Sequence, residues 1–155
     1  EPQAFTRAVG LAEEYFAGGP SDDDHRRVRH FDAAELVGTI GGRYRELARH
    51  EPKWSRKSQD YIHEALELRH PSESKPRAFD LIGLARTELI VADLEHACEL
   101  VHQAIPLGRP WLNGRVGAEL RDFRQEVSRY AEIPVVRDTR DLIQELTSSN
   151  GWMKG

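Results

Sequence analysis

The stretch RAFDLIGLARTELIVADLEHACELVHQAI, residues 77–105, decides the fold. Its first half places Phe79, Leu81, Ile82, Leu84, Ala85, Leu89, Ile90 and Val91 so that apolar side chains cover nearly every face of a helix. A helix greasy all round is a buried helix. Asp93 then offers a side-chain acceptor for the unpaired N–H groups that open a second helix. That second helix carries Leu94, Ala97, Cys98, Val101, Ala104 and Ile105 at three- and four-residue steps, a single apolar face. Two helices joined by so short a link are expected to pack antiparallel.

The same periodicity extends outward in both directions. Residues 5–16 form an amphipathic pattern ended by Gly18-Gly19-Pro20, and Ser21 before Asp22-Asp23-Asp24 marks another helix start, with acids suited to the positive end of the dipole. Leu36, Val37, Ile40, Tyr44, Leu47 and Ala48 share the face of a helix over about 32–49, which Pro52 is expected to close. Trp54, Ser58, Tyr61, Ile62, Ala65, Leu66 and Leu68 share the next, over about 54–69. The loop 70–74 follows, being made of His, Pro and short polar residues. After Pro106, Gly108 and Pro110, read as a break, helical spacing resumes through Leu112, Val116, Leu120, Phe123, Val127 and Tyr130. Pro134 is expected to stop that helix, and Asp138 to cap a last one reaching about residue 146. Val135-Val136 is the only β-branched pair of note and is too short to build a sheet. The expected fold is all-α with about seven helices, in one helical-repeat domain over 1–155. Within it, 1–30 is an N-terminal helical extension, 31–70, 76–106 and 111–147 are hairpins, and 148–155 is a tail.

Bulk properties narrow the function. The chain has 155 residues, a net charge of −4, 39% apolar and 31% charged residues. That balance is globular and lacks the basic footprint of a free-standing nucleic-acid binder. Eighteen of the 22 basic residues are Arg, a bias more in keeping with genome composition than with phosphate binding. Cys98 is the sole cysteine, so no intrachain disulfide forms and a reducing, cytoplasmic setting is expected. No run approaches the roughly 18 apolar residues that span a bilayer, so no membrane partner is expected. The chain opens on Glu1-Pro2-Gln3, without an initiator Met or a signal-peptide pattern, and is expected to be a piece of something longer.

Leu84-Ala85, Ala97, Val101 and Ala104 are spaced like the small and apolar positions of a tetratricopeptide repeat, in which small residues let the two helices of a hairpin approach closely. Leu81 stands where that pattern prefers Trp, and Glu88 departs from its Tyr. A poorer copy lies upstream, with Gly42 as the close-contact residue against Ile62 and Ala65. More particularly, RAFDLIGLART (77–87) with Ala97-Cys98-Glu99-Leu100-Val101 resembles the C-terminal tetratricopeptide-like region of actinobacterial helix-turn-helix transcriptional regulators. Ala12-Glu13-Glu14-Tyr15-Phe16, His30-Phe31-Asp32 and Gly114-Arg115-Val116-Gly117 fit the same resemblance. It implies a short right-handed solenoid of stacked hairpins with a concave groove, sensing a peptide, small molecule or protein. DNA would be read by a domain absent from this chain. Repeat alignment puts the first helix of each hairpin on the groove and offers Arg43, Glu46, Arg86 and Asn113 as its contacts. Arg is the apt carboxylate anchor there, because its planar fork donates two parallel hydrogen bonds.

Catalytic readings fare poorly. His63-Glu64 starts like a zinc-protease helix, but position 67 is Glu where the second His is needed one turn on. Cys98 and His102 lie one turn apart without further ligands at metal spacing. Gly38-x-x-Gly41-Gly42 lacks the strand and spacing of a phosphate loop and suits close helix packing. The run His25-Arg26-Arg27-Val28-Arg29-His30 is blunted by the three aspartates before it, within a Debye length of about 8 Å. The expected protein is therefore a non-catalytic binding domain with no cofactor and no metal. The alternatives are a dimerisation module using Phe5, Phe16 or Trp152, or an enzyme of unrecognised class.

Overall fold

The structure, a computed structural model, describes the backbone of residues 23–148 and the side chains of 33–148. Six α-helices occur among the described residues, and no strand. They are α1 (Asp23–Ala48), α2 (Ser55–Leu68), α3 (Ser74–Ile90), α4 (Leu94–Gly108), α5 (Arg115–Glu126) and α6 (Pro134–Thr147). Single 3-10 turns at Pro52–Trp54, Arg109–Trp111 and Ser128–Tyr130 stand between or beside them. The all-α expectation holds. The helix expected over 5–16 and the tail from 149 lie outside the described residues. None of the described helices is long and apolar enough to cross a membrane.

The chain divides into two compact units at the loop foreseen from Pro71 and its polar neighbours: residues up to His70, and residues from Pro71 onward. In the first, α1 packs along α2. Ala34, Val37, Ile40, Gly41, Tyr44 and Ala48 are buried on one face of α1, and Ser55, Ser58, Ile62 and Ala65 on one face of α2. Small side chains dominate the α2 set, so the two backbones come close. The glycine responsible is Gly41, not Gly42 as the repeat alignment expects. A methyl added at Gly41 would stand 2.6 Å from Ile62 Cγ1, whereas one at Gly42 would meet nothing within 4 Å. The register is one residue off because the contact belongs to the face carrying Val37 and Tyr44. Ser58 Oγ fixes that contact by donating to the Gly41 carbonyl at 2.8 Å.

In the second unit α3 packs against α4 and α5, α4 also against α6, and α5 against α6. As the apolar pattern predicts, α3 is buried almost continuously, from Asp80 to Glu88. Leu84, Ala85, Ala97, Val101 and Ala104, the repeat-like positions, are all buried. The α3–α4 link is three residues long and closes in a recognisable way. Ala92 N–H donates to Leu89 O and Asp93 N–H to Glu88 O, both at 3.0 Å, while Ala92 sits at φ 61°. This is the paired-bond helix stop in which glycine usually takes the left-handed position. Asp93 caps α4 as foreseen, its carboxylate accepting from His96 N–H at 3.2 Å.

Two prolines behave differently from the sequence expectation. Pro106 lies inside α4, which runs on to Gly108. So near the C-terminal end the missing N–H removes one bond and no long ladder follows to be disrupted. Pro134 starts α6 instead of stopping its predecessor, and Ile133 precedes it as N-cap. At the first helical position its absent N–H would have been unpaired anyway and its φ is already helical. Hence the last helix begins at Pro134 and not beside Asp138. The preceding segment, read as one helix, divides into the Arg109–Trp111 turn, α5 and the Ser128–Tyr130 turn. Gly117 makes its start possible, because a side chain there would strike the Leu112 carbonyl oxygen.

Candidate functional site

The four residues proposed from the sequence are placed in three different environments. Arg43 and Glu46 stand exposed on α1, three positions apart and so on neighbouring parts of its surface. Glu46 already faces Arg49 at 3.5 Å and Arg45 at 3.8 Å. Asn113 is exposed in the turn before α5. Arg86, by contrast, is buried on α3 and fully engaged. Its Nε and Nη2 donate to the two carboxylate oxygens of Glu126 at 2.8 and 2.6 Å. Its Nη1 donates to Glu119 at 2.7 Å. The forked geometry expected for a ligand carboxylate is thus taken by the protein's own Glu126. Burial by itself would lower the guanidinium pKa, but the hydrogen bonds and charges of Glu126 and Glu119 outweigh it and the net shift is upward. Arg86 is a cationic clamp holding α5 on α3.

The first unit presents an aromatic face with cations over it. Tyr44, wholly buried, stacks on Tyr61 at 5.6 Å and 7°, and meets Trp54 at 5.6 Å and 33°. Lys53 lies 5.3 Å from the centre of the Trp54 ring and Lys57 5.5 Å from that of Tyr44. Leu36 and Leu47 complete the half-buried rim around Ile40 and Tyr44. At the edge of this unit, buried Arg69 pairs with exposed Glu35.

In the second unit, the Cys98–His102 pair singled out in the sequence meets at one hydroxyl. Thr139, buried on α6, donates from Oγ1 to Val135 O at 2.7 Å, so its oxygen accepts from His102 Nε2 at 3.1 Å. The same hydroxyl bonds the Cys98 thiol. Burial pushes the Cys98 thiol pKa up, and the Thr139 bond offsets only part of this. A thiol held protonated and buried is a poor nucleophile. The arrangement ties α4 to α6.

A second cluster, which the sequence reading passed over, sits at the α3–α4 turn. Glu88, Asp93 and His96 each point one donor atom into a group whose members lie within 4.8 Å of one another. Glu88 is buried, Asp93 exposed and His96 between the two. No familiar motif has this spacing of five and then three residues. The available signal was Asp93, whose capping role fixes a carboxylate one turn before His96.

Comparison of the chain with known protein families, with curated proteins and with solved structures finds no match.

Proposed function

We propose that this chain is a non-catalytic binding domain, a sensor or interaction module in which helical hairpins stand side by side and offer a surface to a partner. The observation that carries the reading is the neighbour relation in the second unit. The first helices of successive hairpins, α3 and α5, pack together, and so do the second helices, α4 and α6. Stacked repeat hairpins pack in this way, burying a continuous core through their neighbours and leaving a long face for binding. The relation agrees with the resemblance to the tetratricopeptide-like part of transcriptional regulators. On that reading the DNA-binding part lies in another segment of the regulator.

Arg86 serves the stacking of the hairpins of the second unit; the exposed Arg43 and Glu46 are the contacts proposed for the first unit by itself, and Asn113 the one proposed for the second. Native mass spectrometry of freshly purified protein tests the reading. The expected result is a non-covalent mass, a peptide or small molecule, lost on denaturation and reduced in Arg43→Ala and Glu46→Ala. A bare monomer whose melting is unchanged across a panel of carboxylate-bearing metabolites and peptides would overturn it.

One observation favours self-association as a second reading. Ile133 and Val135, at the start of the last helix, are exposed by 40% and 37%, as the apolar end of an uncapped helical stack would be. The candidate seam residues Phe5, Phe16 and Trp152 lie outside the described residues. The same mass spectra give the subunit count.

A further inference from the structure

We propose that Glu88, Asp93 and His96 form a divalent-metal site at the α3–α4 turn, suited to Zn2+ and independent of the binding reading above. Glu88 lies in the last turn of α3, Asp93 is the N-cap of α4, and His96 lies three residues into that helix. Three donors on consecutive helix ends converge because the turn between them is tied by backbone hydrogen bonds. Asp93 N–H is bonded to Glu88 O at 3.0 Å, which fixes the Asp93 backbone relative to that of Glu88. The Asp93 carboxylate is oriented in turn by His96 N–H at 3.2 Å. That bond uses one oxygen, and the other is left to ligate. Ligands pre-set in this way lose little freedom on binding an ion.

The separation between donors is informative. Glu88 Oε2 and His96 Nδ1 are 3.5 Å apart. A direct charge-assisted N–H···O bond would bring them to about 2.7–2.9 Å. Two ligands at about 2.0–2.2 Å from a tetrahedral zinc stand about 3.4 Å from each other. The spacing is compatible with an ion held between the two groups.

The chemistry selects the ion class. An imidazole nitrogen with two carboxylate oxygens favours Zn2+ and its first-row neighbours over Mg2+ or Ca2+, which prefer oxygen throughout. Two carboxylates brought together, with the Glu88 side chain only 7% exposed, gain from a dication that offsets both charges. The C-terminal end of α3 favours a cation and the N-terminal end of α4 disfavours one, so the helix dipoles largely cancel. The His96 side chain, at 41% exposure, opens the site to solvent. Three protein ligands with a fourth position on the solvent side make an open site in which water completes the tetrahedron.

The test is Zn2+ titration of the full chain after chelator treatment, followed by calorimetry and by the melting temperature, with Co2+ as a spectroscopic stand-in. We expect one equivalent bound at micromolar or tighter affinity, a rise in melting temperature, and the visible bands of tetrahedral Co2+. Asp93→Asn is the decisive variant, because Asn caps a helix as well as Asp does but surrenders the anionic ligand. Asp93→Asn and His96→Ala should each weaken Zn2+ by about tenfold or more while the far-ultraviolet spectrum stays helical. Absence of Zn2+ binding at about 100 µM metal overturns the proposal. So does undiminished binding in both variants, which would place the ion on other histidines among the seven in the chain.

Discussion

Replacing Arg86 with Met keeps the aliphatic stem in place and removes the guanidinium, which isolates what the clamp contributes. Three charge-assisted hydrogen bonds disappear, at 2.6, 2.7 and 2.8 Å. At about 1.5–3 kcal/mol each, simple addition would give about 5–9 kcal/mol. That sum is too large for two reasons. Two of the bonds form one bidentate contact with Glu126 and are not independent. Moreover, the side chains of Glu126 and Glu119 are 25% and 27% exposed, so part of their hydration returns once the arginine is gone. Removing one partner of a buried pair typically costs about 3–5 kcal/mol, and the exposure places this case near about 3 kcal/mol. Urea unfolding followed by circular dichroism should show that loss as a lower midpoint with an unchanged slope. Adding Glu126→Gln to Arg86→Met should recover about 1–2 kcal/mol, since it removes one of two facing carboxylates left without their counter-charge. A loss under about 1 kcal/mol for Arg86→Met would refute the clamp and return Arg86 to the groove-anchor role first assigned to it.

Neighbouring glycines on α1 should respond with opposite signs. Gly41→Ala is expected to destabilise by about 1–3 kcal/mol through overpacking against Ile62, while Gly42→Ala gains about 0.5–1 kcal/mol of helix propensity; thermal melts of the two variants check the order. Ala92→Gly should stabilise by about 0.5–1 kcal/mol, because Ala92 holds φ 61° where a side chain is strained, and a lowered melting temperature would contradict this. Cys98 should react with a thiol reagent far more slowly in the native protein than in urea. Its raised pKa also makes the folded state retain a proton that the unfolded chain has lost. Stability should accordingly fall as pH rises above the ordinary thiol range near about 8.5, and Cys98→Ala should flatten that alkaline slope.

The helices could be read from the sequence wherever an apolar stripe was long and regular, as in α3, α4 and the second half of α1. The stripe of α1 begins near residue 34, so its unbroken run from Asp23 was not legible, and the expected boundary at residues 30–31 falls inside it. Prolines misled at two points, because the same residue that breaks a helix interior is well placed at a first turn, as Pro134 is, or near a helix end, as Pro106 is. Spacing identified a glycine pair on α1, but whether Gly41 or Gly42 meets Ile62 depends on a rotation of about 100° per residue that a poor repeat match does not fix. The site was less legible. Arg86 has the same chemistry as an anchor for a ligand or for Glu126, and choosing between them requires knowing that α5 lies against α3. The convergence of Glu88, Asp93 and His96 depends on a three-residue turn with Ala92 in a left-handed conformation, and an alanine does not advertise that conformation as a glycine would.

Amide hydrogen exchange measured by mass spectrometry is the most direct test of the central claim, that α3 is the buried element on which α4 and α5 are stacked. The account predicts that the amides of 80–88 exchange last in the second unit, at rates set by global unfolding. Exchange of that segment as fast as the turn at 91–93 would contradict it.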